Sequence, residues 1–153
     1  NKYHLAFLNA SGSNQIIKVR KLFFVNAALA AVTGVGVQFD IKRISTITGG
    51  TNIVPNPVDT VDGALANFTC VSAPTSVTEG ALLYSWFTNN DEIGVTGAFL
   101  QAMLQALINT LPEGNEIKEL TLNSGEGFCV KQITSTTVGS YAILAVISRE
   151  STV

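Results

Sequence analysis

Charge is what this chain has least of. Lys, Arg, Asp and Glu make up 13% of its 153 residues, about half the roughly 25% of an ordinary soluble domain. Nine basic and eleven acidic residues leave a net charge of −2. No stretch gathers the Lys and Arg that a nucleic-acid surface needs. Histidine occurs once, at His4, and cysteine twice, at Cys70 and Cys129. Three residues scattered in this way have no zinc-ligand spacing, and two cysteines are too few for a disulfide scaffold. Two strand cysteines could pair in a sandwich, but the preferred reading is two reduced, buried thiols. Long apolar runs are missing too. The longest, Leu22–Val32, is interrupted by Asn26 and falls well short of the about 20 residues that span a bilayer. Leu5–Leu8 is too short for the apolar segment of a signal peptide. The expected partners therefore include neither nucleic acid nor membrane.

Chemistry-bearing patterns are equally sparse. Any Ser/His/Asp or Cys/His constellation would have to use His4, which reads as an edge-strand residue near a loose chain end. The oxygen-rich segments Asn89–Glu92 and Asp59–Asp62 match no calcium loop and read as turns. The acids sit beside glycines, as in Glu79-Gly80, Glu113-Gly114 and Glu126-Gly127, which suits loops better than the paired carboxylates of a glycoside hydrolase. The glycines of Val32-Thr33-Gly34-Val35-Gly36 fit no nucleotide-binding motif. Phe23, Phe24 and Trp86 lie in apolar runs without interleaved cations, so they read as core rather than as base-stacking platforms. The glycosylation triplets at Asn9 and Asn67 are of the kind a Thr- and Asn-rich chain produces by chance. The expectation is a chain without catalytic, cofactor or metal residues, and not an enzyme.

In place of charge the chain has neutral polarity, with sixteen Thr, twelve Asn and eleven Ser, and strand patterns. Val35, Val37, Phe39 and Ile41 alternate with Gly36, Gln38, Asp40 and Lys42, so one face is buried and one is wet. The alternation then sets Arg43 inward and Ile44 outward, which predicts a bulge near 42–44. Ile16–Val25, Leu65–Val71, Ala81–Thr88, Glu119–Leu122, Gly127–Ile133 and Ser140–Ser148 read as further strands, with Asn123-Ser124-Gly125 as a turn. Tyr141, Ile143, Ala145 and Ile147 alternate with Ala142, Leu144 and Val146, so the last strand is expected to be central and covered on both faces. Gly49–Asp62, with Pro55 and Pro57, is a long loop with a task or a partner. Thr96–Leu111 is predicted to be a helix, capped by Thr96 and stopped by Pro112. The predicted fold is mainly β: a single β-sandwich or jelly-roll-like domain over 16–153 with one inserted helix at about 96–111, preceded by an N-terminal arm or edge strand over 1–15.

The predicted helix is apolar on most sides, and a chain of this size hides only about 70% of its extended surface. Self-association would supply the missing cover, with Phe99, Met103 and Leu107 at the subunit interface.

Three segments together carry a resemblance. They are Ile17–Phe24 with Thr33-Gly34-Val35, then Phe39–Ser45 followed by Thr48–Thr51, then Gly125–Phe128 leading to Gly139-Ser140-Tyr141. In this arrangement the chain resembles small virion structural proteins of tailed bacteriophages, and among these it looks most like capsid decoration (cement) proteins. The predicted helix is a departure from that pattern. The resemblance implies an all-β homotrimer on the outer capsid surface, assembled in the host cytoplasm, that clamps the major capsid protein. The expected capsid contacts are Tyr3, Leu5 and Phe7 in the N-terminal segment and Ile53 and Val54 in the long loop. Two other readings remain open: a tail or fibre module binding a host surface glycan, with Trp86 beside Asn89–Asp91 as its platform, and a non-viral trimeric jelly-roll domain.

Overall fold

The computed structural model describes residues 2–26, 35–59, 61–90, 105–109, 120–133 and 141–151. Ten strands follow in chain order: β1 (Lys2–Asn9), β2 (Gln15–Asn26), β3 (Val35–Thr48), β4 (Thr51–Asn52), β5 (Phe68–Ser72), β6 (Ser76–Asn90), β7 (Gln105–Asn109), β8 (Leu120–Leu122), β9 (Gly127–Gln132) and β10 (Tyr141–Ser151). All pairings are antiparallel. One sheet has the order β4-β5-β1-β9-β3-β6. In the other, β10 flanks one side of β2, while β7 and β8 share its opposite side.

The period-two pattern drives both sheets onto one core. Val37, Phe39 and Ile41 of β3 join Leu5 and Phe7 of β1 and Phe128 and Val130 of β9. Ile17, Val19, Leu22 and Phe24 of β2 meet them from the other sheet, with Leu120 and Leu122 of β8. The step from Val19 to Leu22 breaks strict alternation. The β2–β10 ladder explains it: Val146 pairs with Lys21 and Ile147 with Val19. Arg20 is the extra residue, so the inward parity resumes one position later. Four rings meet on Phe39: Trp86 stacks at 5.2 Å, and Phe24, Tyr141 and His4 approach at 4.5, 5.1 and 5.6 Å.

A buried polar plug closes the core where β1 turns into β2. Asn9 Nδ2 donates to the carbonyls of Gln15 and Leu122, at 2.9 and 3.1 Å, and its Oδ1 accepts from Ser13 Oγ at 2.6 Å. Both ends of the amide are satisfied, which is what a buried polar group requires. Gly127 is needed one strand away, because a methyl group there would overlap the Phe7 carbonyl oxygen.

Several expectations are corrected. There is no helix among the described residues. The end of the predicted helix is β7, paired through Phe24↔Gln105 and Lys21↔Asn109. This five-residue window is too short for periodicity to separate strand from helix, and β2 offers an unpaired edge that a strand can satisfy and a helix cannot. Residues 96–104 and 110–111 lie outside the described residues. The 1–15 segment is neither arm nor edge, since β1 pairs with β5 on one side and β9 on the other. The last strand is not covered on both faces: among the described residues β10 is an edge strand, and its Ala142, Leu144 and Val146 are exposed. The break near 42–44 is present, but its place is different. β3 runs straight against β9 through Ile44, and against β6 the register shifts three times, with extra residues on β6 (Leu83, and one of Gly80–Ala81) and then one on β3 (Ser45). Arg43 therefore keeps an inward position and donates to the Thr121 carbonyl of the other sheet at 2.8 Å.

Candidate functional site

The outward face of the first sheet holds the densest cluster of ionisable groups among the described residues. Tyr3, Lys42, Glu79 and Lys131 come from β1, β3, β6 and β9. Alternation places each of them opposite the core. Glu79 Oε1 accepts from Tyr3 Oη at 2.5 Å and from Lys131 Nζ, and Oε2 accepts from Lys42 Nζ at 2.7 Å. Burial works against the charged carboxylate, but the hydrogen bonds from Lys131, Lys42 and Tyr3 outweigh it and hold Glu79 at about 2. Burial and the bond to Glu79 push the Tyr3 phenol up to about 12. Every group in the cluster is spoken for by another. It staples four strands and leaves no acid or base poised for proton transfer.

Beneath it, Cys129 packs with Ala6 and Ile44 on this same outward side, whereas Cys70 belongs to the inner core. Both thiols are buried and free. Burial pushes Cys70 up to about 12 and Cys129 up to about 11, the latter also under the influence of Glu79. Neither is an activated nucleophile.

His4 sits at the register shift between Tyr3 and Leu5. Its ring turns inward against Phe39 and Tyr141, and Nε2 bonds Gln132 Oε1 at 2.9 Å. Burial lowers its pKa. The expectation of a loose edge residue is replaced by a half-buried histidine in the aromatic cluster. Among the described residues no group of three or more His, Cys, Asp or Glu gathers as metal ligands would.

The surface carries a different kind of signal. Phe87 and Leu82 lie opposite Gln38 and Lys42 on the outward side of β6, and Phe87 is 71% exposed. Leu144 and Val146 are exposed on β10, Leu144 at 57%. Phe23, opposite Leu144, continues that apolar strip, while Lys18, Arg20 and Glu150 form an ion-paired end to the same face. The 53–65 loop presents Val54, Val58 and Val61, with Val58 99% exposed. The loop is nonetheless built: Ile53 N–H donates to the Cys70 carbonyl, and Asp59 accepts from the N–H groups of Val61 and Asp62. A cleft of about 300 Å³ separates its Pro55–Val58 stretch from Ile147–Arg149 of β10.

Of the expected contact residues, Ile53 and Val54 are exposed on this loop. Leu5 and Phe7 are buried in the core, and Tyr3 is engaged with Glu79. These three side chains are thus spent on the fold. Phe99 and Met103 lie outside the described residues, and Leu107 falls in β7, at the register shift against β2. Trp86 stacks on Phe39 and meets Phe24 edge-on, partly buried against the core, and Asp91 of the glycan reading lies outside the described residues. Sequence reading missed the Glu79 cluster, whose four members are far apart in the chain. Leu144 and Val146 carried the right signal, an apolar second face, but it pointed to a covered strand. No family model matches this chain, and neither a curated protein nor a solved structure does.

Proposed function

We propose that this chain is a non-catalytic structural module that self-associates and docks on a larger protein shell, in the manner of the capsid decoration proteins it resembles. The observation that carries this reading is the set of large apolar side chains standing in solvent on two sheet faces and one loop: Phe87, Leu82, Leu144, Val146, Val54 and Val58. A chain this poor in charge does not keep such surface wet when a partner can cover it. The fold class that goes with the reading is a jelly-roll-like sandwich, and the trimer is the state the resemblance implies. Its site of action is the outer surface of the virion, against the major capsid protein.

The 53–65 loop is the shell-facing element. It is anchored at Ile53 and presents Val54, Val58 and Val61 among exposed polar residues, so it can enter a partner's groove without a large ordering cost. Modest contacts from several subunits then add through effective concentration. The test is co-sedimentation of the purified chain with purified shells of tailed phages. Wild type should pellet with shells, and Val58→Asp should stay in the supernatant while keeping the wild-type oligomer mass. Wild type remaining in the supernatant at tens of micromolar would overturn the docking reading, and a monomer by sedimentation velocity at that concentration would overturn self-association.

A further inference from the structure

On the side where β6 faces β8, the space between the sheets is not sealed. Tyr84 lies directly opposite Ile41, which is fully buried, so alternation turns its ring toward the inner side. The ring is nevertheless 44% exposed. A cleft of about 400 Å³ opens there, lined among the described residues by Leu83 and Tyr84 of β6, Arg43 of β3, Leu120 of β8, and Asn123 and Glu126 of the β8–β9 turn. A second cleft of about 270 Å³ shares Arg43 and Glu126 with it. The larger falls in the range of about 300–1,000 Å³ usual for small-molecule sites.

The polar wall of this cleft is already set. Glu126 Oε2 accepts from the backbone N–H and from Nδ2 of Asn123, at 2.9 and 3.1 Å, and lies 3.5 Å from Arg43 Nη1. Arg43 Nη1 is held in turn by the Thr121 carbonyl at 2.8 Å. Three planar side chains are thus fixed to one another. Among the described residues, Glu126 Oε1, Asn123 Oδ1 and Arg43 Nε and Nη2 make no hydrogen bond. Acceptors and donors therefore stand together in a cleft that also presents an exposed aromatic ring.

We propose that this cleft binds a neutral saccharide. A sugar ring carries hydroxyls along its edge, each able to donate and accept, and C–H groups on its faces. The polar wall suits the first and the Tyr84 ring the second. Charge argues against an anion: Arg43 is matched by Glu126, and Glu79 lines the adjoining cleft, so a phosphate or carboxylate would meet more negative charge than positive. An apolar ligand would strip water from the polar wall and return no hydrogen bonds. The site is also clear of the shell-facing loop. β4, which leads into that loop, and β6 stand at opposite ends of the first sheet, and β10 and β8 flank opposite sides of β2. A subunit seated through residues 53–65 keeps the cleft open, so the inference goes beyond the docking reading and does not depend on it.

The test is saturation-transfer NMR and calorimetric titration of the full chain with maltose, cellobiose, lactose and N,N′-diacetylchitobiose, and with digalacturonate as the acidic control. At least one neutral probe should bind with a Kd of about 0.1–5 mM, and digalacturonate more weakly. Tyr84→Ala should weaken that binding at least about tenfold, and Tyr84→Phe, which keeps the ring, should stay within about threefold of wild type. Glu126→Gln should weaken it about threefold or more, since bonds to a carboxylate are the stronger ones. Circular dichroism checks each fold, and should the Glu126 variant unfold, the two Tyr84 variants decide alone. Tighter retention on a neutral O-antigen polysaccharide than on its free repeat unit marks a cell surface as the source, and equal affinity marks a soluble sugar; both support the site. No neutral probe bound at about 10 mM, digalacturonate preferred, or Tyr84→Ala binding as wild type does would each overturn it, and none of these results bears on shell docking.

Discussion

Replacing Glu79 by Gln should weaken the fold at neutral pH and hardly at all in acid. The carboxylate is clamped by Lys42, Lys131 and Tyr3, with the lysine and glutamate side chains only 12–23% exposed. Lowering its pKa from 4.5 to about 2 corresponds to a ceiling of about 3 kcal/mol. Solvent screening brings the expected loss to about 2 kcal/mol. The sign follows from proton counting. The folded state holds Glu79 ionised where the unfolded state binds a proton, so this stabilisation is complete above about pH 5 and is lost as pH falls through 4.5 toward 2. About two-fifths should remain at pH 3 and about an eighth at pH 2. The assay is urea unfolding of wild type and Glu79→Gln at pH 7, 4 and 3, followed by far-ultraviolet circular dichroism at one fixed protein concentration. Other acids titrate alike in both proteins and cancel in the difference. A difference as large at pH 3 as at pH 7, or one below about 0.5 kcal/mol at pH 7, would refute the clamp.

Phe39→Ala empties the centre of the aromatic cluster and should cost about 3–5 kcal/mol in calorimetric unfolding. Trp86, the one Trp in the chain, stacks on Phe39, so its emission should shift to the red. His4 is held neutral by burial. Stability should therefore be flat above about pH 6.5 and fall as pH drops below it, where the unfolded chain takes up the proton more readily; thermal melts of His4→Gln should lack that fall. Ellman's reagent should label neither Cys70 nor Cys129 until the protein is denatured, and reduction should leave electrophoretic mobility unchanged.

Wherever local pattern and tertiary demand coincide, the fold was legible in the sequence. Val37, Phe39 and Ile41 point inward as their alternation requires, and Asn123-Ser124-Gly125 turns as its residue types require. The same logic failed at Gln105–Asn109, where five residues are too few for periodicity to decide and the edge of β2 did. It failed at β1, because nothing local distinguishes a strand with one neighbour from a strand with two. Tyr141–Ile147 shows a subtler limit. Two apolar faces signal cover on both sides, but the sequence does not say whether the cover belongs to the same chain. The Glu79 cluster was invisible for a plainer reason: its four side chains meet only after the strands have paired.

The interior position of β1 bears on how the molecule is made. Leu5 takes its β9 partner from Val130 and its β5 partner from Ser72, so the strand that leaves the ribosome before the others must wait through most of synthesis for its second neighbour. Until then an apolar strand has an open side in solvent, and such pairing across long loops is slow. Chaperone dependence, and aggregation of nascent chains cut short before residue 120, should follow from that order of events.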